Sequence, residues 1–113
     1  MKRDIELIRK ILLNVQDGKD NSLIDDVTDD ALKYHQALLI EANLVEGSVI
    51  ENNQLDSDIP IAVSIKKITW EGHDFISAIE DEGKWSKIKK HLKEGGKILT
   101  LETIKLAINQ LFM

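Results

Sequence analysis

Three histidines, at positions 35, 73 and 91, are the side chains of this sequence with the widest chemical use, because imidazole can bind a metal ion or transfer a proton. None of them has a second histidine or a carboxylate at metal-ligand spacing, and structural zinc sites favour thiolates, which a chain without cysteine lacks. His73 and Asp74 are neighbours, so on a helix their side chains point about 100° apart and cannot form a catalytic pair. The sequence also has no glycine-rich phosphate loop or nucleophile elbow. We therefore expect no metal, no cofactor and no enzyme activity.

Charge is unevenly distributed along the 113 residues, whose formal net charge is −5. Residues 17–58 contain eleven acidic side chains and two lysines, whereas residues 84–97 contain six lysines and one glutamate. Because phosphate binding requires cations on the contacting face, the lysine-rich segment could contact nucleic acid or an acidic partner. Its lysines are Lys84, Lys87, Lys89, Lys90, Lys93 and Lys97.

The length fits one domain with a modest core, and the apolar fraction of 42% is ordinary for a globular protein. The chain has no apolar run of about 18 residues, and its first residues carry charges where a signal peptide would have an apolar core. It has no cysteine and hence no disulfide framework. We therefore expect a cytoplasmic protein with no membrane partner.

Apolar side chains recur at helical spacing in five segments. These are residues 4–16, residues 28–42, residues 69–82, a segment marked by Trp85, Ile88 and Leu92, and residues 99–112. Thr28, Thr69 and Thr100 are suitable helix N-caps, and Asn43 can end the second helix in a left-handed conformation. Gly83 is expected to separate the third helix from the fourth, which Gly95 and Gly96 end.

Residues 44–50 and 61–68 are rich in Val and Ile and predict two strands. The connection between them, residues 51–60, is polar and longer than a tight hairpin turn. Between the first two helices, residues 22–25 predict either a short strand or a loop. The order helix, helix, strand, long loop, strand, helix resembles a winged-helix domain whose wing has an acidic tip.

The block Ile68-Thr69-Trp70-Glu71-Gly72-His73-Asp74-Phe75 follows the second strand and opens the third helix. Its first five residues resemble the Leu-Thr-x-x-Gly exit from the wing of MarR- and PadR-type regulators. The segment Glu41-Ala42-Asn43-Leu44-Val45 resembles the path into that wing. The same block, with residues 1–12, the Tyr34-His35 pair and Trp85, is similar to a family of small bacterial and phage-encoded proteins known as a domain of unknown function. YjcQ-like winged-helix proteins resemble the chain more distantly.

This resemblance covers most of residues 1–93 and implies a winged-helix fold and a phage or prophage setting. The predicted fold class is α+β, a winged-helix-turn-helix-like arrangement. Residues 1–82 form the winged-helix-like domain, and residues 83–113 form a C-terminal helical extension packed on it, one structural domain overall. One departure concerns the eleven residues between Gln16 and Thr28, which leave little room for the helix that precedes a recognition helix. The departure weakens the inference to DNA binding.

Two functions remain as expectations. In the first, the protein is a small non-enzymatic transcriptional regulator that binds DNA through its middle helix, the base of its wing and its lysine-rich helix. In the second, it is a protein–protein interaction or dimerisation module without DNA binding, and it pairs with a second copy through residues 99–113. The candidate contacts for nucleic acid or a partner are Lys33, Gln36, Lys66, Lys67, Lys87, Lys89, Lys90 and Lys93, with Arg3, Arg9 and Lys10 as further phosphate contacts.

Five residues are expected to pack rather than to bind. His35 lies on the apolar face of the middle helix and should be buried and hydrogen-bonded. Trp70, Phe75 and Trp85 should contribute to the core or to packing beside it, not to a base-stacking platform. Gly72, in the first turn of its helix, should allow close packing against the wing or the first helix.

Overall fold

The computed structural model describes residues 1–54 and 57–112, which form five α-helices and one two-stranded antiparallel sheet. The elements follow in the order α1 (Ile5–Gln16), a 3-10 turn (Asn21–Leu23), α2 (Asp29–Glu41), β1 (Val45–Ile50), β2 (Ala62–Ile68), α3 (Trp70–Ile79), α4 (Glu82–Glu94) and α5 (Leu101–Phe112). The predicted α+β class is confirmed. None of the helices in the described range is long and apolar enough to cross a membrane.

The helices begin and end where the sequence supplies capping groups. The Thr28 hydroxyl accepts a hydrogen bond from the Ala31 amide at 3.1 Å and begins α2. The carboxylates of Asp4 and Asp81 begin α1 and α4 in the same way. Asn43 follows α2 with a φ of 62°, the left-handed conformation that asparagine tolerates. The caps predicted for Thr28 and Asn43 are therefore confirmed.

The hydrophobic core lies where α1 meets its neighbours. α1 packs against α2 and α3, and its Ile8, Ile11 and Leu12 are almost completely buried. α4 and α5 pack against α3 and against each other. They bury Trp85, Ile88, Leu92, Leu101, Ile104, Ala107 and Ile108 in the same core. The C-terminal helix is therefore part of the core.

The β1–β2 hairpin folds back along α2 instead of projecting into solvent. Both strands pack against α2. At the far end of the hairpin, the Lys33 ammonium donates to the Ile61 carbonyl at 3.3 Å. In the connection beyond it, the Asp58 carboxylate lies 2.6 Å from the ammonium group of Met1. These contacts bring the far end of the hairpin against the first turns of α2 and the start of the chain.

α2, the hairpin and α3 meet at Thr69. The Thr69 hydroxyl donates to the Asn43 carbonyl at 2.7 Å and accepts from the Gly72 amide at 2.9 Å. The Thr69 amide donates to the Leu44 carbonyl at 3.1 Å. A Cβ atom at Gly72 would lie 1.9 Å from the Leu44 carbonyl oxygen and 2.7 Å from a methyl carbon of Ile68. The close packing predicted for Gly72 is confirmed, and it is made with the base of the hairpin.

The strand considered for residues 22–25 is wrong, because the segment begins in a 3-10 turn at Asn21–Leu23 and continues as irregular backbone. The Asp20 carboxylate accepts a hydrogen bond from the Ser22 amide at 2.9 Å and begins the 3-10 turn there. A side chain that bonds to the backbone two residues ahead favours a turn over an extended strand.

The boundary between α3 and α4 also differs from the prediction. α3 ends at Ile79, short of residue 82, and α4 already begins at Glu82, so Gly83 lies inside the first turn of α4. The break falls earlier because the Asp81 carboxylate accepts a hydrogen bond from the Lys84 amide at 2.9 Å. An N-cap stabilises the start of a helix by about 1 kcal/mol, which is enough to offset the cost of one glycine in its first turn.

Candidate interaction surfaces

α2, the predicted recognition helix, presents few side chains to solvent. Within α2, all of which the structure describes, the exposed residues are Asp29, Asp30 and Glu41. Every side chain from Ala31 to Ile40 is half-buried or buried, because α1, the 3-10 turn and the hairpin pack against this helix. A helix that reads a major groove needs exposed donors and acceptors along one face. The exposed side chains of α2 are carboxylates, which phosphates repel.

Lys33 and Gln36 lie in the enclosed part of α2, and both are half-buried. The Lys33 ammonium lies 3.8 Å from the Asp30 carboxylate and donates to the Ile61 carbonyl at 3.3 Å. These two contacts hold the Lys33 side chain against the hairpin. Its charge is therefore partly neutralised within the chain.

His35 joins α2 to the start of α1. Its side chain is 2% exposed, and its Nε2 atom accepts a hydrogen bond from the Asp4 amide at 2.8 Å. The Nδ1 atom lies 2.6 Å from the Ala31 carbonyl oxygen, so the neutral ring carries its proton on Nδ1. The prediction of a buried, hydrogen-bonded histidine is confirmed, and both ring nitrogens already have partners.

A concavity of about 880 Å³ lies beside His35, between the start of α1 and the 3-10 turn. Its walls carry charges of both signs, including Lys10, Lys19, Asp20 and Asp25. The backbone and hydroxyl of Ser22 donate to Asp20 and lower the pKa of its carboxyl group. Within the described residues, no group of three or more His, Cys, Asp or Glu side chains is placed to hold a metal ion.

The two candidate lysines of β2 differ from each other. The Lys67 ammonium lies 3.5 Å from the Glu46 carboxylate on the paired strand, in an exposed ion pair. Lys66 is exposed and forms no ion pair with any described residue. Lys66 is thus the β2 lysine that a partner could reach without breaking an ion pair with a described residue.

The α4 candidates differ in position, because Lys87, Lys90 and Lys93 are exposed whereas Lys89 lies beside the buried Trp85. Lys89 is half-buried, lies 3.2 Å from the Glu6 carboxylate and packs 5.4 Å from the centre of the Trp85 ring. Lys90 lies 4.0 Å from Glu94, at the limit of an ion pair. Lys87 and Lys93 are exposed and pair with no described carboxylate. Of the four α4 candidates, these two lysines are therefore exposed to solvent and have no described carboxylate as an ion-pair partner.

The candidate contacts therefore form two groups on different parts of the surface. Lys33, Gln36, Lys66 and Lys67 belong to α2 and the hairpin, which pack on each other. The other group belongs to α4, which packs against α3 and α5 instead. Its members are Lys87, Lys89, Lys90 and Lys93. The two groups therefore lie on elements with different packing partners.

Arg9, a further candidate for phosphate contact, is used inside the molecule. Its Nε atom donates to the Ile79 carbonyl at 2.8 Å, and a terminal nitrogen lies 3.1 Å from the Glu82 carboxylate. The guanidinium also lies 5.7 Å from the centre of the Trp85 ring. Arg9 thus closes the last turn of α3 and ties it to the first turn of α4.

Trp70 is the residue whose predicted role the structure contradicts most clearly. Its side chain is 90% exposed at the first position of α3, whereas Phe75 and Trp85 are buried as predicted. The exposure follows from helix phase, because α3 turns Gly72 and Phe75 inward. The sequence held a signal for this, since His73 and Asp74, one turn further along the same face as Trp70, are both polar.

Two concavities meet at Glu71 and Asp74, beside Trp70. One, of about 730 Å³, lies at the base of the hairpin and includes Trp70 and Lys67. The other, of about 470 Å³, is a groove between α3 and α5. Its apolar wall consists of Phe75, Ala78, Ile108 and Phe112. Together they form a surface that runs from the hairpin across α3 to α5.

α5, the helix expected to pair with a second copy, uses most of its apolar stripe within the chain. Leu101, Ile104 and Ile108 are buried, and Leu106 and Phe112 are 42% and 36% exposed. At the start of α5, hydrogen bonds from the Glu102 amide and the Thr100 hydroxyl lower the pKa of the Glu102 carboxyl group. Apolar self-association through this helix would therefore rest on its partly exposed residues.

Comparison with known proteins gives the chain a family. The sequence model of the family described as hypothetical protein (DUF2513) matches residues 2–98. An uncharacterised protein of Haemophilus influenzae is 32% identical over 111 residues, which cover 93% of this chain and 90% of that relative. No solved structure matches the chain at a significant level. With both the family model and this relative matching nearly the whole chain, the protein belongs to the DUF2513 family.

Proposed function

We propose that this protein is a non-enzymatic, winged-helix-like interaction module that binds another protein, in the phage or prophage setting that its sequence resemblance implies. The observation that carries the proposal is the outer face of α2, where the exposed side chains are Asp29, Asp30 and Glu41. The equivalent helix of a winged-helix DNA reader presents donors and acceptors to base edges. A face of carboxylates and half-buried side chains suits a protein partner better than a groove lined by phosphates.

The path of the hairpin supports the same proposal. A wing that contacts a minor groove has to project beyond the recognition helix and carry cations at its tip. In this chain the far end of the hairpin is held by Lys33 and by the contact between Asp58 and Met1. The hairpin thus encloses α2, and its far end is held against the rest of the molecule.

A second candidate function is DNA binding through the backbone phosphates. Lys87 and Lys93 favour it, because both are exposed and unpaired with any described carboxylate. The affinity of such a contact would be independent of DNA sequence and strongly dependent on salt, because release of counterions from the phosphates drives the binding. A transcriptional regulator would need a further element for base recognition, and α2 is poorly suited to provide it.

Fluorescence anisotropy with a labelled random-sequence duplex separates these candidates. The protein-binding proposal expects no saturable binding at about 50 mM or at about 200 mM salt, whereas phosphate binding through α4 expects binding at about 50 mM salt that weakens steeply at about 200 mM. The double variant Lys87→Glu/Lys93→Glu should abolish α4-mediated binding. Lys2→Glu/Lys19→Glu, with the same charge change elsewhere, is the matched control. The first proposal would be overturned if the duplex binds tightly at both salt concentrations and if Lys33→Ala or Gln36→Ala removes that binding.

A positive test of the first proposal is selection from a random-peptide phage-display library against the intact, immobilised protein. A protein-binding module should enrich peptides that converge on a shared sequence and bind with a saturable isotherm. Failure to enrich any such sequence, repeated with two independent libraries, would count against a protein-binding role.

A further inference from the structure

We infer that the partner docks on the outer face of α3, centred on Trp70, and supplies a basic side chain next to an apolar one. This inference rests on the proposed protein-binding function and assigns its surface. We call this region the Trp70 surface, and it comprises Trp70, Glu71 and Asp74 together with the α3–α5 groove. Of the lysines considered as contacts from the sequence, Lys84 lines the groove and Lys67 lies in the concavity beside Trp70.

Trp70 contributes almost nothing to the fold. Its indole is 90% exposed and makes no hydrogen bond, aromatic contact or cation contact with any described residue. The neighbouring residues Thr69 and Gly72, not Trp70, make the contacts that attach α3 to the base of the hairpin. Exposed tryptophan is costly to hydrate, and tryptophan is strongly enriched among residues that dominate protein interfaces.

The α3–α5 groove gives the indole an apolar extension. The groove is about 470 Å³, and Phe75, Ala78 and Ile108 form its apolar wall. It adjoins the concavity beside Trp70 through Glu71 and Asp74, which line both. Only Glu71 and Asp74 therefore separate Trp70 from the groove. A partner segment that stacks on Trp70 can place an apolar side chain in the groove.

The charges on this surface select the partner. Asp74 lies one helical turn after Trp70 on the same face, is exposed and forms no ion pair with any described residue. Glu71 is paired with Lys105 at 2.8 Å. An arginine or lysine of a partner can pack on the Trp70 ring and pair with Asp74, combining a cation–π contact with a charge-assisted hydrogen bond. A phosphate would face the unpaired Asp74 carboxylate at this end of the surface, so the Trp70 end favours a basic side chain over a nucleic-acid backbone.

The far end of the groove has the opposite charge. The Lys84 ammonium lies 5.6 Å from the centre of the Phe112 ring and pairs with no described carboxylate. A partner segment should therefore carry its basic residue at the Trp70 end, an apolar residue in the middle and an acidic residue at the Lys84 end. This order of charges gives the segment one preferred direction across α3.

The test is a titration of peptides selected by phage display against the intact protein and its variants. Selected peptides should contain an arginine or lysine close to an apolar residue. Trp70→Ala should weaken binding about thirtyfold, the loss expected of an interface hot spot. Asp74→Asn should weaken it by up to about fivefold, as for a partly exposed ion pair. The control is Ile98→Ser, which removes another exposed apolar side chain, 77% exposed, from the α4–α5 connection.

Tryptophan fluorescence provides an independent readout on the same samples. Trp85 is 2% exposed, so a blue shift and loss of acrylamide quenching on peptide binding report mainly on Trp70. If convergent peptides bind Trp70→Ala with the same affinity as the parent protein, the assignment of the Trp70 surface is wrong and the protein-binding function stands. If no peptides converge, both proposals fail. Tight binding of a single-stranded oligonucleotide that Trp70→Ala abolishes, without peptide binding, would assign the surface to nucleic acid instead.

Discussion

Gly72 and Gly95 lie at the ends of two helices but differ in the space around them. A Cβ atom at Gly72 would overlap the Leu44 carbonyl oxygen at 1.9 Å, so alanine there must push α3 away from the hairpin. At Gly95 the nearest atoms would be 3.5 Å and 3.7 Å away, and its φ of −79° suits any residue. Alanine at Gly72 therefore tests the close packing of α3 on the hairpin, whereas alanine at Gly95 tests only the conformational freedom of glycine.

We expect Gly72→Ala to lower the free energy of unfolding by roughly 1–3 kcal/mol, the usual cost of overpacking. Gly95→Ala should leave it unchanged or raise it by up to about 1 kcal/mol, because alanine restricts the unfolded chain. Urea denaturation followed by circular dichroism measures both. Equal stabilities for the two variants would show that α3 does not depend on close approach to the hairpin.

His35 and His73 form a second matched pair at this scale. His35→Ala removes the acceptor for the Asp4 amide and leaves a cavity, so it should cost roughly 2–4 kcal/mol of folding stability. His73 is exposed, and His73→Ala should change stability by no more than about 0.5 kcal/mol. Both are measurable by urea denaturation. A small effect at His35 would mean that α1 and α2 are joined mainly by their apolar side chains.

At the scale of elements, the junction between α3 and α4 depends on one carboxylate. Asp81→Ala removes the acceptor for the Lys84 amide and should cost about 1 kcal/mol, whereas Asp81→Asn keeps an oxygen at the same place and should cost less. Ser86→Ala, on the exposed side of α4, is the control and should be nearly neutral. Thermal unfolding of the three variants should therefore rank Asp81→Ala lowest, and any other order would place the start of α4 elsewhere.

Most elements were predictable from local sequence because their signals are local. Apolar periodicity located the helices, and Thr28 and Asn43 marked the limits of α2. The end of α3 was missed because a cap at Asp81 and a glycine two residues later give competing local signals. The path of the hairpin was not predictable, since it depends on the contact of Lys33 with Ile61, far apart in sequence.

The candidate site likewise combines features that local sequence could predict with features that depend on contacts between residues distant in sequence. The phase of α3 could have indicated that Trp70 points outward, because its helix neighbours His73 and Asp74 are polar. The groove between α3 and α5 could not be inferred, because it requires knowledge of how two helices distant in sequence pack together. The enclosure of Lys33 likewise depends on the hairpin.

At the scale of the whole molecule, α5 is a structural element as well as a possible surface. Removing all residues after Lys97 deletes the buried Leu101, Ile104 and Ile108. We expect that truncated chain to lose cooperative unfolding, because its core would be open on the side of α3 and α4. Thermal denaturation followed by circular dichroism measures this. A cooperative transition in the truncated protein would show that α5 is an accessory element.

Self-association is consequently better tested by surface substitutions than by truncation. Leu106 and Phe112 are the most exposed apolar residues of α5 among those the structure describes, and Leu106→Lys should leave the fold intact. If the chain pairs through α5, light scattering should show a dimer for the parent protein and a monomer for this variant. Ile61→Lys, which alters an exposed apolar residue of the hairpin connection, is the control. A dimer that persists in Leu106→Lys would exclude this helix as the interface.

The hydrogen bonds of Thr69 also have a consequence for the order of folding. They join the start of α3 to residues 43 and 44, so the Thr69 hydroxyl and its acceptor are separated by 26 positions in sequence. Helices can form within microseconds, but these bonds require the intervening chain to close first. Docking of α3 should therefore wait for the hairpin, and the folding rate should be set by loop closure between residues 44 and 69 rather than by helix formation.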